Sequence, residues 1–105
     1  MYQLIRTDTA DALLRKIISY ISANFGPHTA LQRLDQIETE LTRLSENPFI
    51  GTDPKYMVLR RQGFKVLSTE KVLAFYKIDE VRRIVTIYAI TDQRQDYLHI
   101  LSGEA

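Results

Sequence analysis

Two runs of apolar residues at helical spacing are separated only by Gly26-Pro27, and that junction limits the possible folds more than any other feature of the chain. Before it, Leu13, Leu14, Ile17, Ile18, Ile21 and Phe25 recur every three or four residues from about Thr9 to Phe25, leaving Arg15, Lys16, Ser19 and Ser22 for a wet face. After it, Leu31, Leu34, Ile37, Leu41 and Leu44 repeat the pattern from about His28 to Leu44, with Gln32, Arg33, Gln36 and Glu40 outward. Glycine accepts the left-handed backbone at a helix end, and proline can open the next helix in its first turn. So short a junction predicts an antiparallel helical hairpin, whose two apolar stripes need a second layer to cover them.

The rest of the chain can supply that layer. Met1 to Thr7 is short and rich in Tyr and Ile, and Thr7-Asp8-Thr9 reads as a helix cap that stops it, which predicts a first strand. Ser45 to Pro54 holds two prolines and a glycine and reads as a loop. Three extended segments are expected beyond it: about Met57 to Leu67 with a bend at Gln62-Gly63, then Val72 to Ile78, then the β-branched run Ile84 to Ile90. Short polar connections, Ser68-Thr69-Glu70 and Asp79 to Arg83, make these an antiparallel meander. The expected fold is α+β in the order β-α-α-β-β-β, with the helical hairpin on one face of a small, mainly antiparallel sheet and residues 1–105 forming a single domain.

Composition narrows the chemistry. With no cysteine and only His28 and His99 as imidazoles, disulfides, thiolate metal sites and a cysteine nucleophile are excluded, and neither a metal nor an organic cofactor is implied. Apolar runs of a few residues fall far short of the roughly 20 needed to cross a bilayer, so no membrane association is expected. The N-terminus becomes charged before an apolar stretch can develop, which does not read as a secretory leader, and a cytoplasmic location is expected. The net charge of +1 hides an uneven distribution: Lys55, Arg60, Arg61, Lys65, Lys71 and Lys77 face only Glu70 between positions 55 and 77. Such a local excess attracts phosphate or an acidic protein surface, although solvated strand faces also carry such residues.

The closing region resembles a known family. Val72-Leu73-Ala74-Phe75-Tyr76-Lys77-Ile78-Asp79-Glu80, then Ile84-Val85-Thr86-Ile87-Tyr88-Ala89-Ile90, then Arg94-Gln95-Asp96-Tyr97 is similar to the signature of RelE/ParE toxins, also called plasmid stabilisation proteins. Ser19-Tyr20-Ile21, Leu41 through Pro48 and Ile50-Gly51 also resemble family positions, so the likeness spans nearly the whole chain. It implies the toxin of a type II toxin–antitoxin system, held silent by a cognate antitoxin protein and causing growth arrest when released. Ribosome-dependent cleavage of messenger RNA, by a metal-independent endoribonuclease (mRNA interferase), is the expected action. Non-enzymatic poisoning of DNA gyrase, as in the ParE branch, is the alternative, and a protein-interaction domain with a basic sheet face is the reading outside toxins.

The nuclease reading implies a ribose 2′-hydroxyl attacking the adjacent phosphate, with cations stabilising the phosphorane and one group moving protons. Arg94 matches the family's arginine after the last strand, and its guanidinium suits two phosphate oxygens at once. Tyr97 or His99 would be the acid or base of the tail, and Lys65 and Lys71 the cations on the sheet. Arg60, Arg61 and Lys65 are candidates for nucleic-acid contact. One departure matters: Leu73 stands where ribonuclease members often carry an arginine, and Lys71, of the same strand parity, is the nearest cation. Each candidate also has a plainer role: Arg94 beside Asp92 and Asp96 as a surface pair, Tyr97 as core cover, His99 as a solvated residue.

Overall fold

The computed structural model describes residues 1–92. Its elements are strand β1 (Gln3–Arg6), helices α1 (Asp8–Phe25) and α2 (Pro27–Glu46), a single 3₁₀ turn (Pro48–Ile50), the short helix α3 (Met57–Arg61), and strands β2 (Lys65–Ser68), β3 (Val72–Asp79) and β4 (Ile84–Asp92). The strands form one sheet in the order β1-β4-β3-β2. The last three are the antiparallel meander expected from their short polar connections. β1 runs parallel to β4, with Gln3 opposite Ile84 and Arg6 opposite Ile87.

Local chemistry explains the helix ends. Thr7 has extended backbone and its hydroxyl accepts from the Ala10 amide at 3.1 Å, while Asp8 and Asp11 sit in the first turn, where the helix dipole favours negative charge. Gly26 takes φ 93°, a left-handed conformation costly for a residue with a Cβ. Its amide closes α1 on the Ser22 carbonyl at 3.0 Å, and Pro27 opens α2. Arg6 ties the layers together: its guanidinium reaches Asp11 on α1 at 2.7 Å and Glu38 on α2. Burial works against the charge on Arg6, but the hydrogen bonds and fields of these two carboxylates outweigh it and raise its pKa.

The hairpin packs on one sheet face. Ala10, Leu14, Ile37, Leu41 and Leu44 meet Leu67, Val72, Ala74, Tyr76, Val85, Ile87 and Ile90 in one buried cluster. Each fully buried aliphatic side chain there contributes on the order of 1.5–3 kcal/mol. The stripes are not covered along their whole length, because Phe25 and Leu31, both read as inward, are 65% and 64% exposed at the hairpin's turn end. On the opposite face a smaller cluster joins Leu59, Phe64, Val66, Phe75 and Ala89. Phe75 and Tyr76, on opposite faces of β3, are both fully buried.

The stretch expected to be a strand from Met57 to Leu67 is corrected by the structure: Met57–Arg61 is a helical turn and a half, and only Lys65–Ser68 is a strand. Leu59 is buried while Met57 and Val58 are exposed, a helical rather than an alternating pattern. Gly63 at φ 88° makes the turn between them. The loop expected from Ser45 to Pro54 is likewise more ordered, since Ser45 and Glu46 complete α2 and Pro48–Ile50 forms the 3₁₀ turn.

Tyr76 anchors that loop from beneath. Its hydroxyl donates to the Pro48 carbonyl at 2.7 Å and accepts from the Gly51 amide at 3.1 Å. Burial pushes the phenol's pKa above its ordinary value of 10.0, with the Gly51 hydrogen bond acting the other way. The folded state therefore holds this proton more tightly than the unfolded chain. Its contribution is present in full below the unfolded value of about pH 10 and is lost as pH rises through the raised one. Urea midpoints measured from about pH 8 to pH 11 should fall more steeply in the parent than in Tyr76→Phe. Parallel curves would mean that the phenol does not titrate with folding.

Candidate functional site

Among the described residues, those singled out in the sequence do not converge. Lys65 begins β2 opposite Tyr76, half-buried, with its ammonium 3.7 Å from a carboxylate oxygen of the exposed Asp53. Lys71 lies beyond the other end of β2, in the turn before β3, so about 10 Å of strand separates the two. The shared parity expected for Lys71 and Leu73 does not apply, because β3 starts at Val72. Lys71 instead lines a hollow of about 610 Å³ between α1 and the sheet's end, with Leu13, Ile17, Tyr20, Phe25 and Asp92. Arg60 and Arg61, expected on a strand, are exposed in the last turn of α3, and Arg60 donates to the Lys55 carbonyl at 3.4 Å. Arg94, Tyr97 and His99 lie outside the described residues.

Leu73 shows what its position has become. It packs against the apolar cluster of Leu59, Phe64, Val66, Phe75 and Ala89 on the face away from the hairpin. Leu73 is half-buried there, and its cross-strand neighbours are Ser68 and Thr91, so an arginine would trade this apolar contact for a partly desolvated guanidinium beside two hydroxyls. Two cations meet aromatic rings of this cluster among the described residues: Lys55, 5.7 Å from the ring centroid of Tyr56, and Lys77 on β3. The Lys77 ammonium stands 4.6 Å from the ring centroid of Phe64 and 5.3 Å from that of Tyr88, and the two rings meet edge to face at 5.5 Å.

This arrangement depends on a β-bulge. Phe75 pairs with Ala89 but Tyr76 pairs with Ile87, so Tyr88 is the extra residue of β4, and it shares a face with Ala89 instead of alternating with it. Lys77 stands in the basic run and in the family-like signature but not among the candidate site residues. Strand parity alone puts it on the face of Leu73 and Phe75, but nothing in the sequence reveals that Phe64 lies alongside. Among the described residues, no three His, Cys, Asp or Glu side chains are grouped to hold a metal, and no helix is long and apolar enough to cross a membrane.

A family model described as ParE toxin of type II toxin-antitoxin system, parDE, matches residues 4–97. No curated protein matches the sequence. Among solved structures, the chromosomal ParDE toxin–antitoxin system of P. aeruginosa superposes with a TM-score of 0.73 at 22% identity, covering 88% of this chain and 96% of that one. The RelBE2 toxin–antitoxin complex of Mycobacterium tuberculosis gives 0.62 at 19% identity over 88% and 98% of the two chains. The isolated E. coli RelE toxin gives 0.60 at 12% identity over 98% and 96%. At these identities the likeness is one of fold, and it covers nearly the full length of each relative.

Proposed function

This chain belongs to the ParE toxin family of type II toxin–antitoxin systems, and from that premise we propose that it is the toxin of such a pair and arrests growth by binding DNA gyrase rather than by cutting RNA. The observation that carries this choice is the packing of half-buried Leu73 against an apolar cluster, at the position where ribonuclease members often carry an arginine. Phosphodiester cleavage needs several charged donors aimed at one phosphate. Lys65 and Lys71 instead stand at opposite ends of β2. A poison that works by occupying a protein surface needs no such convergence, and can use exposed apolar and basic side chains as they stand. The cognate antitoxin is its second partner. The hollow beside α1, with Lys16, Arg33 and Lys71 alongside Glu70 and Asp92 around apolar walls, suits an amphipathic segment.

The test pairs two assays. Induced protein should stop growth, and purified protein should inhibit supercoiling by gyrase while leaving messenger RNA intact in a translating extract. Cleavage of messenger in that extract, with supercoiling undisturbed, would overturn the proposal in favour of the nuclease. In that event Arg94→Ala should cost about 10²–10³ in cleavage rate, as loss of one charge-stabilising group does.

A further inference from the structure

We propose that the outward face of α3, formed by Met57, Val58, Arg60 and Arg61, is the surface with which this toxin holds gyrase, and that it seats on an acidic protein surface around an apolar hollow. The inference rests on the gyrase reading above and names the contact which that reading leaves open.

Helix geometry defines the face. Leu59, 1% exposed, is the residue of α3 that packs inward, in the cluster with Phe64, Val66 and Phe75. At roughly 100° per residue, Met57 and Arg61 lie one turn apart on the side opposite Leu59, with Val58 and Arg60 to either side of them. All four are exposed, Met57 by 55% and Val58 by 49%.

The fold holds this face in place. Isolated helices shorter than about 12–15 residues are marginal in water, so the five residues of α3 need support from outside. Before the helix, Thr52 and Val66 exchange two backbone hydrogen bonds of 2.9 Å. After it, the Gly63 amide returns to the Arg60 carbonyl at 3.0 Å and the Phe64 amide to the Leu59 carbonyl at 3.1 Å. With its backbone already ordered, the face loses less freedom on meeting a partner.

Its composition states the chemistry of that partner. Arg60 and Arg61 in the last turn suit the helix dipole, which accounts for two cations without any partner. The dipole does not account for Met57 and Val58 beside them, and methionine with arginine is the pairing enriched at protein interfaces. The charges set the sign. Among the described residues, no ion pair reaches Lys55, Arg60 or Arg61, and Asp53, the acid nearest them in sequence, lies 3.7 Å from Lys65 instead. Three cations without a facing carboxylate complement an acidic surface. The DNA on which gyrase works is also a polyanion, but a phosphate backbone is tracked by cations in series, whereas this face places two large apolar side chains among its guanidiniums.

The experiment uses the purified full chain and gyrase, with three readouts: inhibition of supercoiling, binding to gyrase in the absence of DNA, and the thermal midpoint of each toxin variant. Met57→Ser removes the apolar contact, Arg61→Glu reverses a charge, Arg61→Lys keeps it, and Arg15→Glu reverses an exposed charge on α1. Met57→Ser and Arg61→Glu should each weaken gyrase binding and inhibition on the order of tenfold, as truncation of a central interface side chain does, with midpoints unchanged. Arg61→Lys should stay within a few-fold of the parent, and Arg15→Glu should match it. Parent-like inhibition by both Met57→Ser and Arg61→Glu would overturn this face and leave the gyrase reading standing. A loss in Arg61→Glu confined to binding of a DNA duplex, with gyrase bound as by the parent, would overturn the acidic protein surface in favour of nucleic acid. Failure of the parent itself to inhibit supercoiling would overturn the gyrase reading and this proposal with it.

Discussion

Leu41→Asp is expected to abolish cooperative folding. Leu41 is 1% exposed, on the face of α2 that meets the sheet, and it belongs to the cluster that joins Leu14 and Leu44 to Val85 and Ile87. The substitution forfeits about 1.5–3 kcal/mol of burial and sets a carboxylate in the cluster without a cation, at a cost of several kcal/mol more. Domains of this size have only about 5–15 kcal/mol in total. The matched control is Gln32→Asp on the exposed side of the same helix, which should stay within about 0.5 kcal/mol of the parent. Far-UV circular dichroism through a thermal ramp separates the two. A cooperative transition for Leu41→Asp near the parent's midpoint would mean that α2 presents a different face to the sheet.

Why this helix could be oriented from sequence, while other parts could not, comes down to how local the determining forces are. Gly26-Pro27 fixes the hairpin because each residue has a narrow conformational role, which operates whatever the rest of the chain does. The same applies to the meander, where β3 and β4 are joined by a short turn in which Asp79 accepts from the Arg82 amide and Arg83 takes a positive φ. Met57–Arg61 departs from the expected strand because five residues hold less than two helical turns, so Met57-Val58-Leu59 fits a strand as well as a helix. Phe25 and Leu31 follow the inward period yet stay exposed, because periodicity gives direction and not how far the covering layer extends.

The candidate site was less legible than the fold for the same reason. The resemblance joins Lys65 and Lys71 as cations of the sheet and the basic run adds Arg60 and Arg61, and a four-residue strand followed by a turn is enough to part them. Lys77, Phe64 and Tyr88 come together through strand pairing and a bulge, which no local pattern announces. Leu73 is the exception: its departure from the nuclease pattern was visible as a residue type, and the structure adds the apolar surroundings that give the departure meaning.

Gly51→Ala should destabilise the domain by about 2–4 kcal/mol, from about 1–3 for overpacking plus the loss of a hydrogen bond. The backbone is not the reason, since Gly51 has φ −74°, open to any residue. The space is. A Cβ there would run into the Tyr76 hydroxyl and lie 2.7 Å from the Val66 carbonyl oxygen, so either the loop lifts off Tyr76 or the phenol shifts within a packed core. Tyr76→Phe alone strands the Pro48 carbonyl and the Gly51 amide at a cost of about 1–3 kcal/mol. The two substitutions act on one contact, so they should not add. With the hydroxyl gone, part of the clash is relieved and the hydrogen bond is already lost, so the double variant should be more stable than the summed losses imply, by about 1 kcal/mol or more. Urea unfolding of the parent, both single variants and the double measures that coupling. Strict additivity, or a neutral Gly51→Ala, would show that the loop between α2 and α3 is not seated on Tyr76 and is held by the Thr52 pairing with Val66 instead.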